Sequence, residues 1–389
     1  MEGNIEKLIV VHVGDVLKCP PALNVLRLSV AAGLETSLVT TPDHEMGEYA
    51  LSIPDKVKTI VIGASYRAAG SMLSKALGLK KTKRMLLDAI DDEYDDKGSI
   101  VWIVSDLTIK HLGDSVKRYR YVLHIMELTE ELYYSKKIKT LKLDASDLGN
   151  KALAVVVPNE SRAYITQAWW KLETLPLVLP NKPVGSIEMP RNADIANEEC
   201  RGLVASLSEK KIILYQGITH KERPLLPFFE AVRILGDPYV FATMGASDPL
   251  PWINDEQYVH FPFVQPPEHL EITSHAYIGV LSYFPVEAQY SILNAVFCAP
   301  NKSFEYSRFG VPMISNDNFE LNLIFDKYDC GISVKAFKPN EIAAAIKRVD
   351  ESYSTYSAGA MNYFRSVNMN EKFTDVLDAI SIKLAAGVF

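Results

Sequence analysis

The residues best equipped for chemistry stand close together in residues 299–315, APNKSFEYSRFGVPMIS. Pro300 and Asn301 can open a helix whose first turn holds Lys302, Ser303 and Phe304. Unpaired backbone N–H groups at a helix start, together with the helix dipole, favour a phosphate. The Lys302 ammonium would add a point charge. Glu305, one turn further in, offers a carboxylate able to accept from two vicinal ribose hydroxyls. Gly310 and Pro312 then end the helix and lead into a strand. A second stretch, LYQGITHKERPLL at 214–226, reads as a buried strand closing on Gly217, a polar loop carrying Arg223, and a helix start. The planar guanidinium fork of an arginine suits phosphate oxygens, because it can make paired hydrogen bonds.

The N-terminal half holds a different set. Asp15 and Lys18 follow the first predicted strand, Asp106 follows VWIVS, and His124 and Glu127 lie in YVLHIMELTEELYY. Carboxylates and an imidazole at strand ends can bind hydroxyl groups or move a proton. His124 sits inside an apolar run, however, and reads equally well as a hydrogen-bonded core histidine. The run DAIDDEYDDKG at 88–98 lacks the ligand spacing of a calcium loop and reads as a solvated loop, so no metal is expected. Lys75, Lys80, Lys81, Lys83 and Arg84 form a basic run suited to an anionic lipid surface, although a solvated helix end fits it more simply.

These residues need a scaffold, and the apolar pattern supplies one. Near-continuous apolar stretches at 8–13, 36–40, 58–62, 99–105, 120–125 and 153–157 predict strands buried on both faces. Six more follow at 211–215, 239–244, 258–263, 276–281, 312–315 and 331–334. Helical patterns fall between them, with Pro20 and Pro21 starting the first and Ile342, Ile346 and Val349 sharing a face of one at 340–349. Alternating strands and helices imply an α/β fold of doubly wound parallel sheets. The proline-rich segment 176–202 breaks the periodicity and marks a linker. The expected domains are 1–182 and 183–367, with a closing helix in 368–389.

Composition sets the outer bounds. A chain of 389 residues with 48% hydrophobic content suits two cores rather than one. A net charge of −7 argues against a general nucleic-acid binder. Cys19, Cys200, Cys298 and Cys330 lack paired spacing and read as reduced thiols. No apolar run reaches the ~20 residues of a membrane span, and the start lacks signal-peptide character. The expected location is cytoplasmic, with a peripheral contact at the inner membrane face.

The phrase PNKxFEYxxxGxPxI resembles the donor-binding segment of GT-B glycosyltransferases, particularly those similar to glycosyltransferase family 4. That resemblance implies two Rossmann-like domains facing across a cleft, with the closing helix of 368–389 crossing back to the first. It also implies a sugar transferred from a nucleoside diphosphate sugar, the co-substrate, to a glycan or lipid-linked acceptor in polysaccharide or glycolipid assembly. No further cofactor is implied. Glu305 takes the ribose-binding role, with Asn301, Lys302 and Ser303 beside it. Gly217 and Arg223 match the family's YQG…ERGL, with Pro224 where a glycine is common. The segments around Asp15 and Lys18, Asp106, and His124 and Glu127 resemble acceptor-side and catalytic segments more loosely. Asn159 and Arg162, in VVPNESRAYI, match a strand-to-helix turn. Many family members carry a second glutamate upstream of the ribose-binding one, and this chain has Phe297 in that region. Retention of anomeric configuration is implied, and the Phe297 departure motivates one alternative, a non-catalytic donor-binding or partner protein. A second alternative is a nucleotide-sugar epimerase on the same fold, which would need further acid/base residues around the sugar, and the sequence shows no such set.

Overall fold

The computed structural model describes residues 5–41, 53–63, 72–133, 142–185, 189–219, 221–246, 248, 250–286 and 291–387. The chain divides into two compact units, Met1–Gly185 with Asn368–Phe389, and Ser186–Val367.

In the first unit, β1 (Lys7–His12), β2 (Glu35–Thr40), β3 (Val57–Val61), β4 (Ser99–Val104) and β5 (Tyr121–His124) are joined in one sheet by two later strands. A small antiparallel pair, β6 (Leu132–Tyr133) and β7 (Lys142–Leu143), stands apart from that sheet. The two later strands are β8 (Ala154–Val157) and β9 (Leu177–Val178), and the parallel order is β3-β2-β1-β4-β5-β8-β9. The chain therefore leaves β1 in one direction, returns, and resumes beside it at β4, which makes β1/β4 the topological switch point. Helices α1 (Pro20–Ala31), α2 (Met72–Glu93), α3 (Asp106–Leu112), α4 (Ala145–Lys151) and α5 (Glu160–Trp170) connect the strands.

The second unit repeats the design. It has β10 (Lys211–Gln216), β11 (Tyr239–Gly245), β12 (Tyr258–Pro262), β13 (Ile278–Leu281), β14 (Met313–Asn316) and β15 (Gly331–Val334) in the parallel order β12-β11-β10-β13-β14-β15. Its switch point is β10/β13. The helices are α6 (Glu198–Ser206), α7 (Leu226–Leu235), α8 (His269–Thr273), α9 (Leu293–Val296), α10 (Asn301–Ser307), α11 (Phe319–Tyr328), α12 (Pro339–Glu351) and α13 (Tyr353–Arg365). On α12 the predicted stripe of Ile342, Ile346 and Val349 is fully buried, contributing roughly 1.5–3 kcal/mol per side chain.

The last helix, α14 (Met369–Ala385), is capped by the Asn368 side chain and packs within the first unit. Its Phe373 lies 5.7 Å from the Trp102 ring, and Lys383 donates to the Ala152 carbonyl at 2.6 Å.

All twelve predicted strands are present, within two residues at each end. The acidic run is a correction. Residues 88–93 form the end of α2, not a loop, and Glu93 is buried at a helix C-terminus where the dipole disfavours a carboxylate. Lys7 donates to it at 2.9 Å, Ser37 at 2.8 Å, and Lys58 closes the set. Burial alone would raise its pKa, but the bonds from Lys58, Lys7 and Ser37 prevail and hold it down at about 2.

Candidate functional site

Ligands of open parallel sheets bind outside the carboxyl ends of the strands at a switch point. In the second unit that place is where β10 ends in Gln216 and β13 runs into Ser282 and Tyr283. Helix α10 lies over β13 because Gly279 has no side chain. A Cβ there would stand 2.4 Å from the Tyr306 ring. The Tyr306 hydroxyl also donates to the Leu214 carbonyl at 2.9 Å, anchoring the helix at the residue next to Glu305.

Glu305 is thereby brought to the end of β10. One carboxylate oxygen accepts from Gln216 Nε2, and the other lies 3.5 Å from His269 Nε2. Gln216 is oriented in turn by Thr273, whose hydroxyl donates to Gln216 Oε1 at 2.7 Å. Burial would raise the Glu305 pKa, but His269, Gln216 and the Lys302 charge outweigh it and keep the group ionised.

Two basic side chains lie close by, Lys302 acting on this carboxylate directly and Arg223 acting on Lys302. Lys302 Nζ lies 4.4 Å from the Tyr215 ring centroid and 3.4 Å from its hydroxyl. The Arg223 guanidinium lies 4.7 Å from the Tyr283 ring centroid. Arg223 is held there because its loop is tied to the segment after β13. Ser282 donates to the Pro224 carbonyl at 3.1 Å, and the Phe284 N–H to the Glu222 carbonyl at 2.8 Å. Asn316 fixes Tyr283 from the other side, accepting from its N–H and donating to its carbonyl, both at 2.7 Å. Pro224, the departure from the family pattern, thus serves as an acceptor, and α7 begins two residues later at Leu226. Burial first, then the neighbouring Arg223, push the Lys302 pKa well below its ordinary value. The two cations are close enough to repel, an arrangement that a diphosphate would relieve.

Gly217 adopts φ +110°, and a Cβ on it would stand 2.8 Å from Lys302 Cε. The positive φ favours glycine at this position, and a Cβ would also displace the end of the Lys302 side chain. Asn301 is the first residue of α10 and half-buried. Ser303 departs from the expected arrangement. It is buried, its hydroxyl donates to the Pro300 carbonyl at 2.9 Å and meets Tyr363, and its N–H bonds the same carbonyl at 3.3 Å. The structure therefore gathers Gly217, Arg223, Lys302 and Glu305, and turns Ser303 inward. Gln216, His269, Tyr215 and Tyr283 were not singled out from sequence. Gln216 stands inside the YQG phrase, whereas His269 follows Pro266-Pro267 with no local pattern to mark it.

In the first unit, Asp15, Asp106 and Glu127 follow the carboxyl ends of β1, β4 and β5, three adjacent strands. Asp15 caps a short turn, accepting from the Leu17 N–H at 3.1 Å, and lies 3.5 Å from the exposed Lys18 ammonium. Asp106 is buried and bonded by Lys110 at 2.5 Å. Glu127 is 3.6 Å from Arg162, which also donates to the Met126 carbonyl, while Asn159 caps α5 through the Arg162 N–H at 2.9 Å. His124 is fully buried, and its Nδ1 accepts from Trp102 Nε1 at 3.3 Å. Burial depresses its pKa to about 4, so the ring is neutral at pH 7 with its proton on Nε2. Its free lone pair is therefore already used. Of the two roles open to it, donating to a hydroxyl fits this state, and general-base chemistry does not. His12, at the end of β1, is a second buried neutral imidazole at this switch point, its pKa lowered by burial to about 4.

No family model matches the chain, and no curated protein matches it. Solved structures do. Anabaena HepE in complex with UDP-glucose aligns at TM-score 0.64 and 10% identity, covering 98% of this chain and 99% of that one. Sucrose-phosphate synthase from Thermosynechococcus elongatus aligns at TM-score 0.61 and 14% identity, covering 98% of each. A Listeria monocytogenes protein assigned as a UDP-N-acetylglucosamine 2-epimerase aligns at TM-score 0.61 and 14% identity, over 97% of this chain and 96% of that one. At such identities the likeness is one of fold, and the fold is GT-B. It does not by itself choose between transfer and epimerisation.

Proposed function

We propose that the chain is a glycosyltransferase that takes a sugar from a nucleoside diphosphate sugar. The observation carrying this reading is the convergence of Glu305, Lys302, Arg223 and Gly217 at the β10/β13 switch point, with the carboxylate held ionised beside Lys302 and Arg223 next to that lysine. Glu305 accepts from the ribose hydroxyls, while Arg223 and Lys302 flank the diphosphate. During transfer the departing diphosphate gains negative charge, which these two cations are placed to stabilise. Asp15, Lys18, Asp106 and Glu127, with His124 as a donor, provide the acceptor side. HepE, crystallised with UDP-glucose, supports a nucleotide-sugar donor by its shared fold. No metal or further cofactor enters this reading, and the acceptor is a glycan or lipid-linked sugar.

A membrane contact on the cytoplasmic side has some support on α2. Leu77 and Leu79 are 60% and 41% exposed beside the exposed Lys80, Lys81 and Arg84, with Lys83 half-buried; the Lys75 side chain lies outside those described. No described helix is long and apolar enough to cross a membrane.

The test is a thermal-shift panel of UDP-, GDP-, ADP-, CMP- and dTDP-sugars. A ligand bound only by the native state at ~100 times its Kd adds about 2.7 kcal/mol. One nucleotide family should raise Tm. Flat curves at saturation across the panel would favour the non-catalytic partner reading.

A further inference from the structure

The second unit carries a cavity of about 850 Å³ at the opposite end of its sheet from Glu305. Ile212, near the start of β10, and Tyr277, just before β13, form part of its wall, together with segment 191–195 and one side of α6. Its charges are unbalanced. Arg191, Arg201 and Lys210 line it, against the single exposed carboxylate of Asp194.

Arg191 is fixed in place. Its guanidinium donates to the Phe309 carbonyl at 3.1 Å, the Ala276 carbonyl at 2.6 Å and the Tyr353 hydroxyl at 3.1 Å. Arg201 donates to the Ile195 carbonyl at 3.2 Å. Among the described residues, neither guanidinium has a carboxylate within ion-pair distance. Lys210 has one, the exposed Asp237. Arg191, half-buried and held by neutral acceptors, and the exposed Arg201 both carry N–H groups matched to phosphate oxygens. The volume falls in the range of small-molecule sites.

We infer that this cavity is a second ligand site, separate from the donor site, for a small molecule bearing phosphate groups. Arg201 and Lys210 contact the phosphate, and Arg191 provides the fixed charge behind them.

Inorganic pyrophosphate is the probe, titrated calorimetrically into the full chain at constant ionic strength. Arg223→Ala and Lys302→Ala are introduced together to silence the donor site. Saturable binding at one site should persist in this background. Adding Arg201→Glu should weaken it tenfold or more, the scale of a lost charge-assisted bond, while Arg201→Lys retains most of the affinity. Arg191 is left unchanged because its three bonds also brace the fold, and unaltered Tm in the Arg201 variants establishes that they are folded. Absence of binding at millimolar pyrophosphate in the silenced background would overturn the proposal. So would equal affinity in folded Arg201→Glu.

Discussion

Replacing Glu305 with alanine removes one carboxylate from the proposed donor site and leaves both cations in place. An ionised carboxylate has about four acceptor positions. In this structure Gln216 occupies one and His269 faces another, leaving two for a vicinal diol. A hydrogen bond to a charged group contributes about 1.5–3 kcal/mol, so losing the diol contacts should cost roughly 2–4 kcal/mol after water competes for them. That corresponds to about 30- to 700-fold in Kd. The assay is calorimetric titration of the nucleoside diphosphate identified by the donor panel, alongside its 2′,3′-dideoxy counterpart. Both are measured on the parent chain and on Glu305→Ala. Removing the hydroxyls should hurt the parent chain and leave the variant almost unaffected. Additive losses, within about 0.5 kcal/mol, would refute the ribose role outright. The variant also strands the Gln216 amide and the His269 ring, costing about 1–3 kcal/mol of stability, so its Tm must be read beside its affinity.

Gly217→Ala should weaken nucleoside diphosphate binding by about tenfold or more, because φ +110° strains an L-residue by about 1–3 kcal/mol and the new Cβ displaces Lys302. Unchanged affinity in titration would remove Gly217 from the site. Glu93 links the first unit to pH. Its pKa is held at about 2, below the unfolded carboxylate value of 4.5, so its stabilisation is present above pH 4.5 and is lost as pH falls towards 2. Glu93→Gln should therefore lower stability at pH 7 by roughly 2–3 kcal/mol and flatten the acid limb of a denaturation series. An acid limb identical to the parent chain's would contradict that assignment. Proton NMR of the first-formed product, recorded before mutarotation, should show the donor's anomeric configuration retained; inversion would exclude the retaining mechanism.

The sheets could be read directly from sequence because strands buried on both faces must be apolar at nearly every position. LIVVH and KIILY needed no knowledge of their neighbours. Glu305 and Arg223 could be placed near a strand end for a related reason. Each lies only a few residues from a helix start or a strand end. What the local chain could not reveal was every pairing made across the topology. Gln216 and Glu305 meet across 89 positions and Gln216 and Thr273 across 57, because the return of β13 beside β10 brings their segments together. His269 entered the site by the same route. The acidic run misled because its composition suits a solvated loop, whereas Lys7 and Lys58, distant in sequence, supply the charges that let Glu93 be buried at a helix end. The His124 ambiguity was also tertiary: whether that imidazole offers a lone pair or a proton depends on Trp102, two strand positions before the end of the neighbouring strand. Sequence alone determined which segments become strands and helices and where a strand closes on a glycine. Tertiary structure decided which side chains share a charge, because hydrogen bonding and desolvation act through space and only the crossing of the strands brings the partners within reach.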